Sequence, residues 1–125
     1  MVDSKLFPQV VLIVDDDANV LDVMKRHLEI DGYGVIGLQS ARDIEETIKK
    51  TTLLAVLLDL GLPMVDGFQI LQKIKSIKPN LPVIIVTGRH EEQEARRAFE
   101  LGAWDYVTKP IDFNYLKNIL RTQSP

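Results

Sequence analysis

Acidic and basic side chains stand at the ends of apolar runs that lie far apart along the chain. Asp15 and Asp16 follow Val10-Val11-Leu12-Ile13-Val14, and Asp59 follows Leu53-Leu54-Ala55-Val56-Leu57-Leu58. Thr87 closes Val83-Ile84-Ile85-Val86, and Lys109 follows Trp104-Asp105-Tyr106-Val107-Thr108. In an open parallel α/β sheet, ligands bind in the crevice outside the carboxyl ends of the strands, so these positions would converge there. Three carboxylates, a hydroxyl and an ammonium in one crevice form a chemical site. Like charges about 4 Å apart repel by about 4 kcal/mol at an effective dielectric near 20, so such a site calls for a divalent cation.

The elements that must position these residues are legible from periodicity. Each apolar run has strand length, and Val35, Ile36 and Leu38 form a further, less apolar run after Gly32-Tyr33-Gly34, as expected of an edge strand. Between the strands, Leu21/Met24/Leu28, Ala41/Ile44/Ile48, Ile70/Ile74/Ile77 and Leu116/Leu120 repeat at helical spacing. Asp17 can cap a helix starting near Ala18, Ser40 with Asp43 resembles a capping box, and Asp66 precedes a helix at Phe68. Gly102 suits a left-handed helix stop, and Pro79 with Pro82 bracket a helix-to-strand turn. Five alternating β-α pairs predict a doubly wound three-layer α/β/α sandwich. The helix expected over residues 91–101 is the odd one, because its apolar face is only Ala95, Ala98, Phe99 and Leu101. Small side chains bury little area, so this helix should be weakly anchored and the part that moves.

Composition bounds the function classes. A chain of 125 residues fits a single domain (1–125), with a core over about residues 9–121 and 122–125 as a frayed tail or the start of a linker. There is no cysteine for a disulfide framework or thiolate chemistry. No apolar run approaches the roughly 20 residues of a membrane span, and the first five residues lack the character of a signal peptide, so the expected location is cytoplasmic. The net charge of −3 provides no basic footprint for nucleic acid.

Four separated motifs together resemble the receiver domain of two-component response regulators. They are Val14-Asp15-Asp16-Asp17, Asp59-Leu60-Gly61-Leu62-Pro63-Met64-Val65-Asp66-Gly67, Thr87-Gly88, and Gly102-Ala103-Trp104-Asp105-Tyr106-Val107-Thr108-Lys109-Pro110. The resemblance spans essentially the whole chain and implies a flavodoxin-like fold with five parallel strands in the order 2-1-3-4-5. It implies that Asp59 accepts a phosphoryl group from a sensor histidine kinase or phosphotransfer protein, becoming an acyl phosphate. Asp15, Asp16, Asp59 and the backbone carbonyl of Gly61 would hold one Mg²⁺, a hard cation that prefers oxygen ligands. Lys109 would stabilise the transferring phosphoryl group, and Thr87 with Tyr106 would carry the readout to the fourth helix, fifth strand and fifth helix. That face would control an output domain or partner, with a homodimer through it left open. A cis Lys109-Pro110 bond is also implied.

Each residue has a plainer reading. An isolated Asp15-Asp16-Asp17 is a solvated turn with one helix cap, Asp59 alone can cap a turn, Thr87 is a strand-end hydroxyl, Lys109 is a surface lysine and Tyr106 is half-buried packing. His27 and His90 have no ligand company at metal spacing and should face solvent, so neither should carry phosphate. Within the resemblance, Gly61 lacks a side chain to shield or orient water, and Arg89, two residues past Thr87, is large and cationic. The alternatives are a protein-binding pseudo-receiver and an aspartate-nucleophile phosphatase or flavin protein. The retained charged cluster argues against the first. The missing Asp-x-Asp-x-Thr pattern and the anionic first turn argue against the second. The expected function is therefore a signalling switch rather than an enzyme with its own substrate.

Overall fold

A computed structural model of the chain describes residues 9–123. The strands are β1 (Val10–Val14), β2 (Gly34–Leu38), β3 (Ala55–Leu58), β4 (Val83–Thr87) and β5 (Asp105–Thr108). They alternate with α1 (Ala18–Ile30), α2 (Ile44–Lys50), α3 (Gly67–Ile77), α4 (Glu92–Glu100) and α5 (Phe113–Gln123). The strands pair in parallel in the order β2-β1-β3-β4-β5, the flavodoxin-like arrangement expected.

Successive strand residues point to opposite faces, so each central strand needs two apolar layers. On one face Leu12, Val14, Val56, Leu58, Val83 and Ile85 pack with Ile44, Ile48, Leu71, Ile74 and Ala98 of α2, α3 and α4. On the other, Val11, Ile13, Ala55, Leu57, Ile84 and Val86 pack with Met24, Leu28, Leu116 and Leu120 of α1 and α5. This is why β1, β3 and β4 read as unbroken apolar runs. The weaker β2 lies at one edge, as its composition predicts, and β5 forms the other.

The connections turn opposite ways from β1, which makes the gap between β1 and β3 the topological switch point. Val14 pairs with Leu58, so Asp15 and Asp59 leave the sheet side by side. Across β4, Thr87 pairs with Thr108, and the Lys109 N–H donates to the Thr87 carbonyl at 2.8 Å. Strand register alone therefore gathers the four segments at one end of the sheet.

Several expected boundaries hold. Asp17 Oδ1 accepts from the N–H groups of Asn19 (2.9 Å) and Val20 (3.3 Å), and Asp66 Oδ1 accepts from Phe68 N–H at 2.9 Å. Gly102 has φ +99°, the left-handed stop after α4, and the Lys109-Pro110 bond is cis. Others shift. The Ser40/Asp43 capping box does not form: Ser40 Oγ accepts from Arg42 N–H two residues on, Asp43 caps nothing with its side chain, and Ala41 lies in the turn before α2. A short hydroxyl that satisfies its own turn competes with the helix start, and burial of Ile44 and Ile48 sets where α2 begins. Leu53 and Leu54 precede β3, and Trp104 precedes β5 with 56% of its surface exposed. The apolar period fades at Arg121, yet α5 runs through Gln123; Ser124 and Pro125 lie outside the described residues.

α4 is as lightly packed as its composition predicts, though not by the expected face. Ala98 is its one buried residue, while Phe99 is 47% exposed and turns outward. Arg97 places its guanidinium over the Phe68 ring, 4.3 Å from the centroid, which fastens α4 to the start of α3 through a cation–π contact.

Candidate functional site

Asp15 and Asp59 are buried, at 2% and 7% exposure, and both carboxylates are fully engaged. Asp15 Oδ1 accepts from Asp17 N–H at 2.9 Å, and Asp59 Oδ1 accepts from Gly61 N–H at 2.8 Å. Their other oxygens share one cation: Lys109 Nζ lies 2.6 Å from Asp15 Oδ2 and 2.9 Å from Asp59 Oδ2. Burial without such partners would cost several kcal/mol per charge, so the lysine is what lets two carboxylates sit under the surface together. Asp16 is exposed at the rim.

The electrostatics follow from these contacts. Burial by itself would raise the Asp59 carboxyl, but the Gly61 N–H, the Lys109 ammonium and the Thr87 hydroxyl outweigh it and hold the group below the usual carboxylate value. Burial would likewise depress Lys109, and its two carboxylate partners reverse that and raise it above an ordinary lysine. Asp59 is thus an ionised, oriented carboxylate beside a fixed positive charge.

The donor set suits a hard cation. Asp15, Asp16 and Asp59 each offer a carboxylate oxygen, and these atoms lie within 4.8 Å of one another, the one such group among the described residues. Three anionic oxygens with one member at the rim match the preference of Mg²⁺ for oxygen ligands and retained water. A Cβ at position 61 would stand 3.3 Å from Asp59 Oδ1, so glycine leaves that flank of the carboxylate open.

Thr87 is 1% exposed at the end of β4, and its Oγ1 accepts from Arg89 N–H at 3.4 Å. Tyr106, half-buried on β5, donates its hydroxyl to the Arg89 carbonyl at 3.0 Å. Burial, together with the negative charges of Glu94, Glu91 and Asp59 and against the cation of Arg89, raises this phenol above its ordinary value. The fold brings Asp15, Asp16, Asp59, Gly61, Thr87 and Lys109 to one end of the sheet, while the Tyr106 hydroxyl meets the Arg89 carbonyl rather than the carboxylates.

His90 is exposed, whereas His27 departs from expectation. It is half-buried and stacked on Phe113, with ring centroids 3.7 Å apart and planes 6° from parallel. The partner comes from α5, a packing that spacing on α1 does not reveal. Gly67 was also missed as a supporting position. A Cβ there would meet the Leu60 Cα at 2.6 Å and its carbonyl oxygen at 2.8 Å, so only glycine lets α3 seat against the segment that follows Asp59. The signal in the sequence was a glycine at the first position of an otherwise ordinary helix.

A family model described as the response regulator receiver domain matches residues 11–121. Over 110 residues the chain is 34% identical to the transcriptional regulatory protein ZraR of Escherichia coli K12, covering 88% of this chain and 25% of ZraR. Over 104 residues it is 35% identical to the alkaline phosphatase synthesis transcriptional regulatory protein PhoP of Bacillus subtilis, covering 81% of this chain and 42% of PhoP. The chain thus spans less than half the length of either regulator. Among solved structures, a CheY-like response regulator receiver domain protein from Methanospirillum hungatei aligns with a TM-score of 0.85 at 31% identity, covering 93% of this chain and 96% of that one.

Proposed function

The chain belongs to the response regulator receiver domain family, and from that premise we propose that Asp59 is the phosphoryl acceptor of a two-component signalling switch. A carboxylate oxygen of Asp59 attacks the phosphorus of a phosphohistidine, the P–N bond breaks, and the group is held as an acyl phosphate. The observation that carries this reading is the Lys109 ammonium bridging Asp15 and Asp59, with Asp16 close enough to complete a cation site.

Asp15, Asp16, Asp59 and the Gly61 carbonyl would hold Mg²⁺. When bound, the ion supplies positive charge for the phosphoryl oxygens as they pass between donor and acceptor. Lys109 meets the same oxygens from the other side, in a crevice where a fixed ammonium needs no reorganisation. Thr87 donates its hydroxyl to a phosphoryl oxygen. That draws on the strand end that holds Arg89 and, through it, the Tyr106 hydroxyl. The change spreads to α4, β5 and α5, the face that meets an output domain, a partner or a second copy.

The proposed donor is a histidine kinase or a phosphotransfer protein, and a cytoplasmic location accords with that reading. Among the described residues no helix is long and apolar enough to cross a membrane. An apolar groove lined by Val20, Val23, Met24, Ile111 and Phe113 opens beside Lys109 and supports docking of such a donor protein there. The chain acts as one receiver unit, and its own chemistry is limited to accepting and losing the phosphoryl group.

Incubation with acetyl phosphate and Mg²⁺, read by intact mass, tests the assignment. Wild type should gain one phosphate and Asp59→Asn none; a label that persists in the variant would remove Asp59 from the role. Asp16→Ala should weaken Mg²⁺ binding more than it lowers stability without metal, because it removes a ligand and also relieves repulsion.

A further inference from the structure

We propose that Arg89 is a positioning residue that exchanges partners on phosphorylation, its guanidinium leaving Glu94 for the phosphoryl oxygens on Asp59 and so releasing the first turn of α4. The inference rests on Asp59 being the acceptor.

The backbone of Arg89 is pinned between two site residues. Its N–H lies 3.4 Å from Thr87 Oγ1, and its carbonyl accepts the Tyr106 hydroxyl at 3.0 Å. Only the side chain is free to change partner. Nη1 meets Glu94 Oε2 at 3.2 Å, with the two side chains 44% and 29% exposed. Solvent-exposed ion pairs of this kind are weak. A phosphoryl group adds roughly two negative charges and three strong acceptor oxygens, and the guanidinium fork matches that geometry better than a single carboxylate contact.

Proximity supports the exchange. Arg89 stands two residues past Thr87, whose Oγ1 accepts its N–H at the end of β4, so its long side chain starts from the rim of the crevice that holds Asp59. The mechanical consequence follows from how α4 begins. Glu91 provides no side-chain cap, and Arg89–Glu94 is the one ion pair joining the preceding loop to the first turn among the described residues. Losing it removes that side-chain tie from a turn that has no side-chain cap to hold it in its place.

Wild type, Arg89→Gln, Glu94→Gln and the double variant, treated with acetyl phosphate and Mg²⁺, separate this from simple electrostatics. The readouts are the initial rate of one-phosphate mass gain and amide exchange over residues 92–95. Glu94→Gln should raise the rate and Arg89→Gln should lower it, each by roughly three-fold, the scale of an exposed ion pair. In the Arg89→Gln background, Glu94→Gln should have no further effect on rate, because the competitor has nothing left to compete for. Exchange over residues 92–95 should rise in wild type only after phosphorylation and be high beforehand in both single variants. Additive rate effects, or exchange in wild type that ignores phosphorylation, would overturn the proposal while leaving Asp59 as acceptor. Wild type that takes no label would overturn both.

Discussion

α3 and α4 each follow a buried central strand that ends at the site, after Asp59 and Thr87 respectively, yet they are fastened by different physics. α3 is capped by Asp66 and buries Gly67, Phe68, Leu71 and Ile74. α4 has no side-chain cap and buries Ala98 alone, relying on Arg97 over Phe68 and on Arg89 with Glu94. Apolar burial gives no discrete alternative partner, whereas exposed charge contacts can be traded for others. The Asp59 side of the crevice is therefore fastened by burial, and the Thr87 side by contacts that can be exchanged.

The largest test of this contrast is truncation on each helix. Leu71→Ala should cost about 2–5 kcal/mol, since the side chain is fully buried, while Phe99→Ala should cost about 1 kcal/mol or less. Urea midpoints at unchanged slope measure both, and equal losses would break the comparison.

Glycine substitution sharpens it on the loops. Gly67→Ala should destabilise by about 1–3 kcal/mol, because the new methyl meets Leu60 backbone that cannot swing aside. A Cβ on Gly88 meets nothing within 4 Å, so Gly88→Ala should stay within about 0.5 kcal/mol. A costly Gly88→Ala would mean that the loop before α4 is held more tightly than its surroundings indicate.

Caps come next in size. Asp66→Ala should lose about 1 kcal/mol, and Glu91→Ser, placing a hydroxyl where α4 lacks a cap, should gain about 0.5–1 kcal/mol. If the serine stabilises nothing, the first turn of α4 is not limited by its unsatisfied N–H groups.

The smallest effect is a pH dependence at the β5 edge. Tyr115 donates its hydroxyl to Asp105 Oδ2 at 2.8 Å, and that bond, followed by burial and the Asp105 charge, raises the phenol above its ordinary value. A raised folded value means that the tie stabilises fully below about pH 10 and is lost as pH climbs through the folded value. The melting difference between wild type and Tyr115→Phe should accordingly vanish in strong alkali. A difference that is constant across that window would deny the bond a role.

Much of the fold was legible because burial on both faces forces an unbroken apolar strand, and amphipathic helices repeat their stripe. Asp17, Asp66 and Gly102 mark helix ends for local reasons that need no tertiary partner. Ser40 misled because a hydroxyl can serve a turn or a helix equally well, and only the packing of Ile44 decided between them. Phe99 misled because periodicity identifies a stripe without saying how much of it the sheet covers.

For the site, residue types and their places at strand ends were enough to assemble the carboxylates, the threonine and the lysine, since parallel register carries every strand terminus to one edge. Which groups touch was a matter of three dimensions. The bridging of Asp15 and Asp59 by Lys109, the close seat of Gly67 on Leu60, the stacking of His27 on Phe113 and the pairing of Arg89 with Glu94 depend on distances set by packing. Local pattern specifies where a chain turns and which face it hides. Contact between residues remote in sequence is settled only when the layers close.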